Sequence, residues 1–467
     1  MRLDENFIKN ALPESSFVNN IFLENIVLSI DSRKINKGDI FVALEGSHCD
    51  GHDFISEAIE KGAAGLIVAE HKKEYVKKIL KNKLEQLLIL CVSNTRTALI
   101  KLAIAWRDQF NYPVICITGS VGKTSTKEII CNILDVNGTS YVASYGNQNT
   151  AIGLALTIFS MCAEHQIAIF ELGINKRGEM AQLVAMAKPT MAVITNVGHA
   201  HMEGLGSIVD IAAEKRDVFS LFKETNIGIV NGDQALLSHI SYSHPVVKFG
   251  SKTTNQIQAR KIFQGSNYVS FILKLYGEKH RIVLKTNHNG AVFNTLAAVG
   301  VAYLLQIPSQ TIIQAIQMPI IVAGRFEQRL LKNGKGVIIN DCYNASPESM
   351  KAALLALQKI ETSAEKIAVL GDMAELGING PFWHRQLGRF LRKVPSLRRV
   401  ILVGSLVEWT KKTLPVGMKI EHVPNWQDAV SKLQETMSDT NLILVKGSRI
   451  VGLDKLINEM TYEKKQQ

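Results

Sequence analysis

The feature that most restricts the possible folds of this chain is a glycine-rich turn between a strand pattern and a helix pattern. Val114–Thr118 is a short apolar run that predicts a buried strand. Residues 118–124 follow with the sequence TGSVGKT, and a helical pattern then continues to Leu134. A strand, a tight glycine turn and a helix N-terminus together aim backbone N–H groups and the helix dipole at an anion. The segment therefore predicts an α/β domain that binds nucleotide phosphates.

This turn departs in one position from the common phosphate-binding loop. The full motif GxxxxGK[ST] has a glycine at the position of Ile117. The lysine and the hydroxyl are present, so we expect Lys123 to reach the outer phosphates and Thr124 to ligate Mg²⁺. An ordinary Gly-Lys turn at a helix start is the alternative, and the agreement of sequence and context disfavours it. The loop residues that we expect to bind ATP are Thr118, Gly119, Ser120, Val121, Gly122, Lys123 and Thr124.

Short β-rich runs alternate with helical patterns along almost the whole chain, which is typical of α/β units with mainly parallel sheets. We predict three domains: a small α/β domain at 1–111, a central P-loop-type ATPase domain at 112–322, and a Rossmann-like domain at 323–467. Residues 111–113 (NYP) mark the first boundary, because proline cannot continue the preceding helix. No GxGxxG motif opens the third domain, so a dinucleotide site there is unsupported.

The periodicity also predicts individual elements. The predicted strands are 39–44, 65–69, 114–118, 167–171, 191–195, 336–340, 366–370, 399–403 and 441–445. The predicted helices are 54–62, 71–83, 95–110 and 291–307, with an antiparallel hairpin inserted between 248 and 285.

The charge balance indicates what kind of partner the protein binds. Lysine and arginine number 53 against 42 aspartates and glutamates, a formal net charge of +11. Such an excess favours anionic partners, which are nucleotides, nucleic acids or acidic membranes. The densest basic run, between His71 and Lys83, has apolar residues at helical spacing, as expected for the solvated face of a helix. We therefore expect nucleotides and no nucleic acid.

Cysteine usage and hydropathy indicate the compartment. The six cysteines are scattered and form no CxxC pair, which favours a reducing compartment over a disulfide framework or a zinc site. The N-terminus lacks the basic start and apolar core of a signal peptide. The longest apolar stretch, 291–307, contains Asn294 and Gln306 and is shorter than the roughly 20 residues that span a bilayer. We expect a cytoplasmic monomer without membrane insertion.

Three further positions are candidates for metal chemistry. Glu171 ends a predicted strand, where an acidic residue of a nucleotide-binding fold commonly holds Mg²⁺, although many strand-end glutamates are structural. His199 and His201 follow the next strand, and metal and structural roles are both open for them. Zinc is disfavoured because no third or fourth soft ligand is near in sequence. Lys215 alone, on a predicted helix, has the pattern of a surface lysine.

Together these motifs resemble the Mur ligase family, whose members use ATP to join an amino acid or a dipeptide to a UDP-muramoyl carboxylate. The family's phosphate loop has the compact form TGxxGKT, which residues 118–124 match despite Ile117. Family members hold magnesium with a glutamate and a histidine and carry a lysine converted by CO₂ to a carbamate. The resemblance therefore implies two Mg²⁺ sites with the ligands Thr124, Glu171, His201 and carbamylated Lys215, and catalytic roles for Lys123, Glu171, His201 and Lys215.

Motifs in the outer domains indicate which kind of family member the chain resembles. Residues 31–33 (DSR), 38–44 (GDIFVAL) and 50–54 (DGHDF) are similar to the UDP-sugar-binding start shared by the third-amino-acid-adding and dipeptide-adding members. Residues 340–347 (NDCYNASP) and 371–377 (GDMAELG) resemble motifs of the dipeptide-adding member. The DYAH and DNPR-like segments of the third-amino-acid-adding member are not found in the sequence. The resemblance thus implies UDP-N-acetylmuramoyl-tripeptide and D-alanyl-D-alanine as substrates.

The resemblance extends to individual contacts and to the reaction. ATP would phosphorylate the terminal carboxylate of the tripeptide, and the dipeptide amine would attack the acyl phosphate. The implied ATP contacts are Asn294, Arg325 and Asp341, the UDP-muramoyl-peptide contacts are Ser32, Arg33, Asn149 and Thr150, and the dipeptide contacts are Tyr343, Asn344 and Ser346.

Three departures from the family pattern stand out. Gly290 occupies a position at which the family usually has histidine; His288 would need a local shift to substitute for it, and we do not assign it that role. Ser346 replaces an asparagine, and residues 216–217 (RD) replace Gly-Glu. The first departure weakens any detailed prediction about contacts to the adenine base.

Other functions are weighed against this one. A folylpolyglutamate synthase-like ligase shares the ATPase core but is expected to lack the DSR and DGH segments. A nucleic-acid-dependent P-loop ATPase needs an Asp-rich strand end and a clustered basic–aromatic face, and the sequence has neither. A non-catalytic nucleotide-binding module leaves the histidine and lysine motifs without a purpose.

Overall fold

The computed structural model describes residues 5–19, 26–46, 49–332, 334, 336–437 and 441–462. The described residues form three β-sheets with flanking helices, which confirms the predicted α/β fold class. The chain forms two compact units. The first contains the residues up to Cys116, Ser140–Leu172 and Ala181–Thr190, and the second contains Ile117–Thr139, Gly173–Met180 and the residues from Met191 onward. The boundaries at 111/112 and 322/323 stay predictions.

The first sheet has five strands and belongs to the N-terminal segment. Its elements in chain order are α1 (Glu5–Ala11), β1 (Ser16–Asn19), β2 (Leu28–Ser29), β3 (Ile40–Val42), α2 (Ile55–Glu60), β4 (Gly65–Ala69), α3 (Lys73–Leu80), β5 (Leu88–Val92) and α4 (Thr95–Arg107). The strand order is β1-β5-β4-β3-β2, with β1 antiparallel to β5 and the other pairs parallel. All residues of β4 and β5 are buried, because helices cover both faces of a parallel sheet.

The second sheet has nine strands and carries the phosphate loop. Its elements are β6 (Val114–Thr118), α5 (Lys123–Asn137), β7 (Tyr141–Ala143), α6 (Ala151–Phe159), β8 (Ile167–Glu171), α7 (Glu179–Ala187), β9 (Met191–Ile194), α8 (Met202–Leu205), α9 (Ile208–Arg216), β10 (Ile227–Asn231), α10 (Ala235–Ser238), β11 (Val246–Gly250), β12 (Ile257–Gln264), β13 (Val269–Leu275), β14 (Glu278–Leu284), α11 (Gly290–Leu304) and α12 (Ser309–Ile316). The strand order is β14-β13-β12-β11-β10-β9-β6-β8-β7. Strands β9 to β12 pair in parallel, whereas β12, β13 and β14 form an antiparallel meander.

Strand ends position the site in this sheet. In the second unit, β6 ends at Thr118, β9 at Ile194 and β10 at Asn231, and a loop follows each of them. The carboxyl ends of parallel strands share one edge of a sheet, which is where open α/β sheets bind their ligands. The phosphate loop and the loop that contains both histidines therefore meet at this edge.

The third sheet has six strands with a core on each face. Its elements are β15 (Glu327–Leu330), β16 (Val337–Asn340), α13 (Pro347–Lys359), β17 (Glu365–Gly371), α14 (Gly380–Phe390), β18 (Leu397–Val403), α15 (Glu408–Lys411), β19 (Lys419–Val423), α16 (Trp426–Thr436), β20 (Asn441–Lys446) and α17 (Leu453–Met460). The strand order is β15-β16-β20-β17-β18-β19, and β15 is the antiparallel edge strand. Successive strand residues point to opposite faces, so Ile339 and Leu444 pack in one core while Ile338 and Ile443 pack in the other.

Short 3₁₀ turns connect several of these elements. They are Ser32–Lys34, Gly51–Phe54, Glu70–Lys72, Lys81–Gln86, Asp217–Phe219, Gly377–Asn379, Leu391–Lys393 and Arg449–Val451.

Most predicted elements are present in the structure. The strands at 65–69, 114–118 and 167–171 have the predicted bounds, and the predicted helix at 291–307 is α11. The hairpin expected between 248 and 285 has a third strand and forms the meander of β12 to β14. In the described part of the chain, no helix is long and apolar enough to cross a membrane.

Candidate active site

The phosphate loop depends on two glycines with left-handed backbone. Gly119 has φ 149° and Gly122 has φ 86°, a region that other residues rarely occupy. A Cβ atom at Gly119 would collide with the hydroxyl of Thr195, and one at Gly122 would collide with the side-chain oxygen of Asn294. Conformation and close approach therefore both require glycine at these positions.

The loop that follows β9 holds the phosphate loop in place. The backbone N–H of Ser120 donates to the carbonyl oxygen of Asn196 at 3.0 Å, and the N–H of Val121 donates to Asn196 Oδ1, also at 3.0 Å. The hydroxyl of Ser120 donates to the Gly198 carbonyl and accepts from the Gly198 N–H. Because Asn196 already engages these two N–H groups, the first turn of α5 presents the next backbone donors to a phosphate.

Two lysines face the same part of the site. The ammonium of Lys123 donates to the carbonyl of Gly119 at 2.8 Å, so its side chain lies along the loop. Lys215, on α9, is 1% exposed, and its burial, with Lys123 nearby, lowers its pKa well below the ordinary value. Among the described residues we find no hydrogen-bond or ion-pair partner for its ammonium. A neutral amine is the form that adds CO₂, so this environment fits a carbamylated lysine.

Each histidine of the 195–201 loop contacts a glutamate of the third-sheet region. His201 Nδ1 lies 2.6 Å from Glu375 Oε2, and His199 Nδ1 lies 2.6 Å from Glu348 Oε1. Nδ1 of His201 is buried, and its contact with Glu375 is an ion-pair contact and not a hydrogen bond of regular geometry. His201, and more weakly Lys123, lower the pKa of Glu375, which stays ionised. The ring of His199 also packs on Trp383, with centroids 4.4 Å apart.

Glu171 lies in the first unit, at the end of β8. It is 2% exposed, and its carboxylate accepts from the side-chain amide of Asn149 at 3.0 Å. Its backbone N–H donates to the hydroxyl of Ser144 at 3.1 Å. Thr150 caps α6 by accepting from the N–H of Gly153. The predicted metal ligand and one predicted substrate residue are thus in direct contact.

A cavity of about 800 Å³ opens beside the phosphate loop within the second unit. Val121, Gly122 and Asn294 line one end of it. Apolar side chains such as Ile320 and Phe326 line it together with polar and charged ones, including Arg325, Asp341 and Lys446. A pocket of this size with a mixed lining beside a phosphate loop has the character of a nucleotide site.

At Gly290, where the family usually has histidine, a neighbouring side chain occupies the space. A Cβ atom on Gly290 would lie 2.6 Å from His288 Cε1, so the His288 ring fills the space of a side chain at 290. The N–H of Gly290 donates to His288 Nδ1 at 3.1 Å. Burial lowers the pKa of His288, which keeps the ring neutral, and the ring packs 5.4 Å from that of Phe326. Both residues line the cavity.

Three predicted residues of the third domain lie close together. The guanidinium of Arg325 stacks on the ring of Tyr343 at 4.1 Å, and that of Arg449 lies 5.7 Å from the same ring. Asp341 accepts from the Phe326 N–H at 3.1 Å and forms an ion pair with Lys446 at 2.8 Å. Arg325 and Asp341 line the cavity, as expected for ATP contacts, although those contacts stay predictions.

The remaining dipeptide candidates have structural bonds of their own. Ser346 is the N-cap of α13 and forms a capping box with Ser349. The side-chain oxygen of Asn344 accepts from the Ala345 N–H, and its carbonyl accepts from Lys446. These bonds explain why serine is compatible with the position of the family's asparagine, since both residue types cap helices. Dipeptide binding by either residue stays a prediction.

The predicted uridine contacts are in the first unit. Ser32 is buried, and its hydroxyl donates to Glu57 Oε2 at 2.5 Å. The side chain of Arg33 is exposed and forms a forked pair with Asp31 at 2.9 and 3.0 Å. That pair lowers the pKa of Asp31. Arg33 therefore has an orienting carboxylate, and its predicted phosphate contact stays untested.

One group of side chains elsewhere has the spacing of a metal site. Glu45, Asp50 and His52 bring potential ligand atoms within 4.8 Å of one another. His52 Nε2 accepts from the Ala69 N–H, and Nδ1 lies 2.6 Å from Asp50. Both ring nitrogens are thus engaged, and Lys72 pairs with the second oxygen of Asp50. This group stabilises the first sheet.

Sequence reasoning missed the partners of the predicted residues. Asn196 lies in the histidine segment that follows β9. Its place directly after a predicted strand was the available indication in the sequence. Glu375 and Lys446 lie within recognised motifs, GDMAELG and VKGSR, but those motifs give no indication of the contacts that the residues make. Glu348 had no sequence signal.

Comparison with known proteins agrees with this geometry. Residues 27–107 match the model of the Mur ligase family catalytic domain, residues 117–302 that of the Mur ligase middle domain, and residues 324–449 that of the Mur ligase glutamate ligase domain. A UDP-N-acetylmuramoyl-tripeptide–D-alanyl-D-alanine ligase from Bacillus subtilis (strain 168) is 32% identical over 440 residues, covering 93% of this chain and 92% of the relative.

Solved structures of similar proteins share the fold along the chain. MurF from Acinetobacter baumannii superposes with a TM-score of 0.84 at 25% identity, covering 98% of both chains. MurF from Thermotoga maritima in complex with ADP gives a TM-score of 0.78 at 28% identity, covering 92% of this chain and 96% of the other. A relative 32% identical over 93% of the chain, three matched domain models and a shared fold lead to one conclusion: this chain belongs to the Mur ligase family.

Proposed function

We propose that this chain joins D-alanyl-D-alanine to UDP-N-acetylmuramoyl-tripeptide with ATP, forming an acyl phosphate and then UDP-N-acetylmuramoyl-pentapeptide, ADP and phosphate. The observation that carries the proposal is the identity of 32% over 93% of the chain to a ligase with those substrates in its name. The cavity is consistent with it, because residues of the phosphate loop and of the third-sheet region line it together.

In this proposal the phosphate loop binds the phosphates of ATP. The first turn of α5 directs N–H groups at the phosphates, and Lys123 neutralises charge on the transferred group. Lys123 lies on the Gly119 carbonyl at 2.8 Å and can move from it to a phosphate by rotating its side chain. Asn294 lies against Gly122 and Arg325 lines the same cavity, so both are placed to contact the nucleotide.

Metal binding is part of the proposal. We assign Thr124, Glu171, His201 and carbamylated Lys215 as ligands. The carbamate would replace a buried neutral amine with an anion, which the nearby Lys123 cation attracts. When bound, Mg²⁺ would lower the repulsion between the ATP phosphates and the acceptor carboxylate.

The third-domain residues receive the incoming dipeptide. D-alanyl-D-alanine has a free amine for attack and a free carboxylate at its other end. The guanidinium of Arg449 lies 5.7 Å from the ring of Tyr343, and a guanidinium recognises a carboxylate through paired hydrogen bonds. Tyr343, Asn344 and Ser346 are therefore proposed to line the dipeptide subsite. Ser32, Arg33, Asn149 and Thr150 are proposed to contact the UDP-muramoyl-peptide.

The test is a coupled assay with purified protein. ADP release is measured with Mg²⁺, ATP and UDP-N-acetylmuramoyl-tripeptide, with and without D-alanyl-D-alanine. The mass of the product is determined by mass spectrometry. We expect ATP turnover and a pentapeptide product only when both substrates are present. ATP turnover stimulated by DNA, or no UDP-linked product with all components present, would overturn the proposal.

Two finer points accompany it. Comparing tripeptides that end in meso-diaminopimelate or lysine identifies the preferred third residue. We also propose a cytoplasmic monomer working in peptidoglycan precursor synthesis, since ATP and UDP-linked precursors are cytoplasmic substrates.

A further inference from the structure

Two side chains from distant parts of the sequence meet at the predicted metal site. His201 follows β9, Glu375 follows β17, and Nδ1 of the first lies 2.6 Å from Oε2 of the second. Both have left-handed backbone, with φ 61° for His201 and φ 62° for Glu375. Non-glycine residues adopt that conformation at a cost in energy, and such residues concentrate at functional sites.

The backbone around the pair fixes this arrangement. The N–H of Glu203 donates to the carbonyl of Glu375 at 3.0 Å. Gly377 lies so close that a Cβ there would be 3.4 Å from the Cα of Glu203. Segment 375–377 therefore packs directly against segment 201–203, and the carboxylate of Glu375 is delivered to His201 by main-chain contacts.

We infer that Glu375 is a positioning residue, whose negative charge beside Nδ1 favours the proton of His201 on that nitrogen so that Nε2 is the atom offered to a metal ion. The chemistry is general: a histidine ligand commonly donates its other ring nitrogen to a carboxylate, which fixes the tautomer and orients the ring. Among the described residues we find no partner for Nε2 of His201. The inference rests on the proposed function, because it concerns the metal site of that reaction.

The neighbouring pair gives a matched comparison. His199 Nδ1 lies 2.6 Å from Glu348, the same separation as in the His201 pair. Its backbone N–H also donates to the Glu348 carboxylate, at 3.2 and 3.3 Å, and its ring stacks on Trp383. His199 is thus held as a structural link, whereas His201 has a strained backbone and a ring nitrogen without a described partner.

The experiment measures metal affinity directly. Full-length protein without nucleotide is titrated with Mn²⁺, and the free ion is followed by electron paramagnetic resonance. We expect Glu375→Gln to weaken Mn²⁺ binding by about 10- to 100-fold, the usual effect of losing such a carboxylate. Glu375→Asp restores part of that affinity because it retains the charge. Glu348→Gln, the matched control, leaves the affinity within about threefold.

Folding and function are checked separately. Circular dichroism spectra and melting temperatures must match between the two glutamine variants, so that loss of fold does not imitate loss of metal. Unchanged Mn²⁺ affinity in Glu375→Gln, or an equal loss in Glu348→Gln, overturns the inference while wild-type ligation still supports the proposed function. Wild-type affinity in His201→Ala overturns the metal assignment itself, and the inference with it.

Discussion

The phosphate loop and the neighbouring start of α11 shape the site in different ways. At the phosphate loop, backbone shape is decisive: Gly119 and Gly122 have no room for a Cβ. At the start of α11, a side chain is decisive, since His288 fills the space that Gly290 leaves. A backbone site tolerates little change, because every donor depends on the same turn. A side-chain site tolerates rearrangement, since one ring can replace another from a nearby position.

The largest expected effect is at Lys215, which lies near Lys123 of the phosphate loop. Lys215→Ala should abolish ligation, because it removes the group that we propose becomes an anionic metal ligand. The coupled assay measures the rate, and a small added carboxylic acid should restore part of it. Lys223→Ala, an exposed lysine, is the control and should keep its activity. Full activity of unsupplemented Lys215→Ala would remove Lys215 from the mechanism.

A pair of glycines on one helix tests the importance of backbone shape. Gly122→Ala should raise the KM for ATP by about 100-fold, since alanine is strained at φ 86° and its methyl group would displace the Asn294 side chain that lines the cavity. Gly138, at the other end of α5, also has a positive φ, 71°, but has open space around it. Gly138→Ala should therefore cost only about 1 kcal/mol of stability.

Steady-state kinetics and thermal melting separate the two glycine variants. Equal loss of ATP affinity in both would mean that the collision with Asn294 is irrelevant and that helix strain alone explains the effect.

The start of α11, where His288 fills the space beside Gly290, should respond more weakly. His288→Ala should raise the KM for ATP by about tenfold and leave kcat nearly unchanged, because it removes packing against the nucleotide but no phosphate contact. The double variant His288→Gly with Gly290→His should recover most of the affinity by returning the ring from the family's usual position. A loss of ATP affinity as large as that of Gly122→Ala would break the contrast between the phosphate loop and the start of α11.

The smallest effect concerns stability at low pH. Burial lowers the pKa of His288, so below the ordinary value of about 6.5 the unfolded chain takes up a proton that the folded protein does not. The contribution of neutral His288 to stability is complete above the pKa of the unfolded chain. It is lost as the pH falls toward the pKa of the folded protein. Between about pH 7.5 and pH 5.5, wild type should lose about 1 kcal/mol more than His288→Asn in urea unfolding. Equal losses would mean that folding does not lower the pKa of His288.

Local patterns predicted much of this molecule. Continuous apolar runs gave the strands 65–69, 114–118 and 167–171 their observed bounds, because a buried parallel strand must be apolar throughout. Edge strands were missed: β15 (EQRL) and β19 (KIEHV) are largely polar, and their pairing depends on the rest of the sheet. The phosphate loop was predictable because its residues are contiguous.

Contacts across long sequence separations were not predictable in the same way. The pairing of His201 with Glu375 depends on how the second and third sheets pack, and no periodicity encodes it. The capping role of Ser346 was detectable, since serine before proline and glutamate is a helix-start pattern. It was overlooked because the family motif suggested a substrate contact.

The bonds between the phosphate loop and the 195–198 segment have a thermodynamic consequence. Ser120 and Val121 are tied by the protein's own groups, so the turn has its shape without help from a nucleotide. A nucleotide that binds a rigid turn does not have to supply the conformational entropy of ordering it. Calorimetry on variants that cut these ties, such as Asn196→Ala, should then show a less favourable binding entropy for the nucleotide.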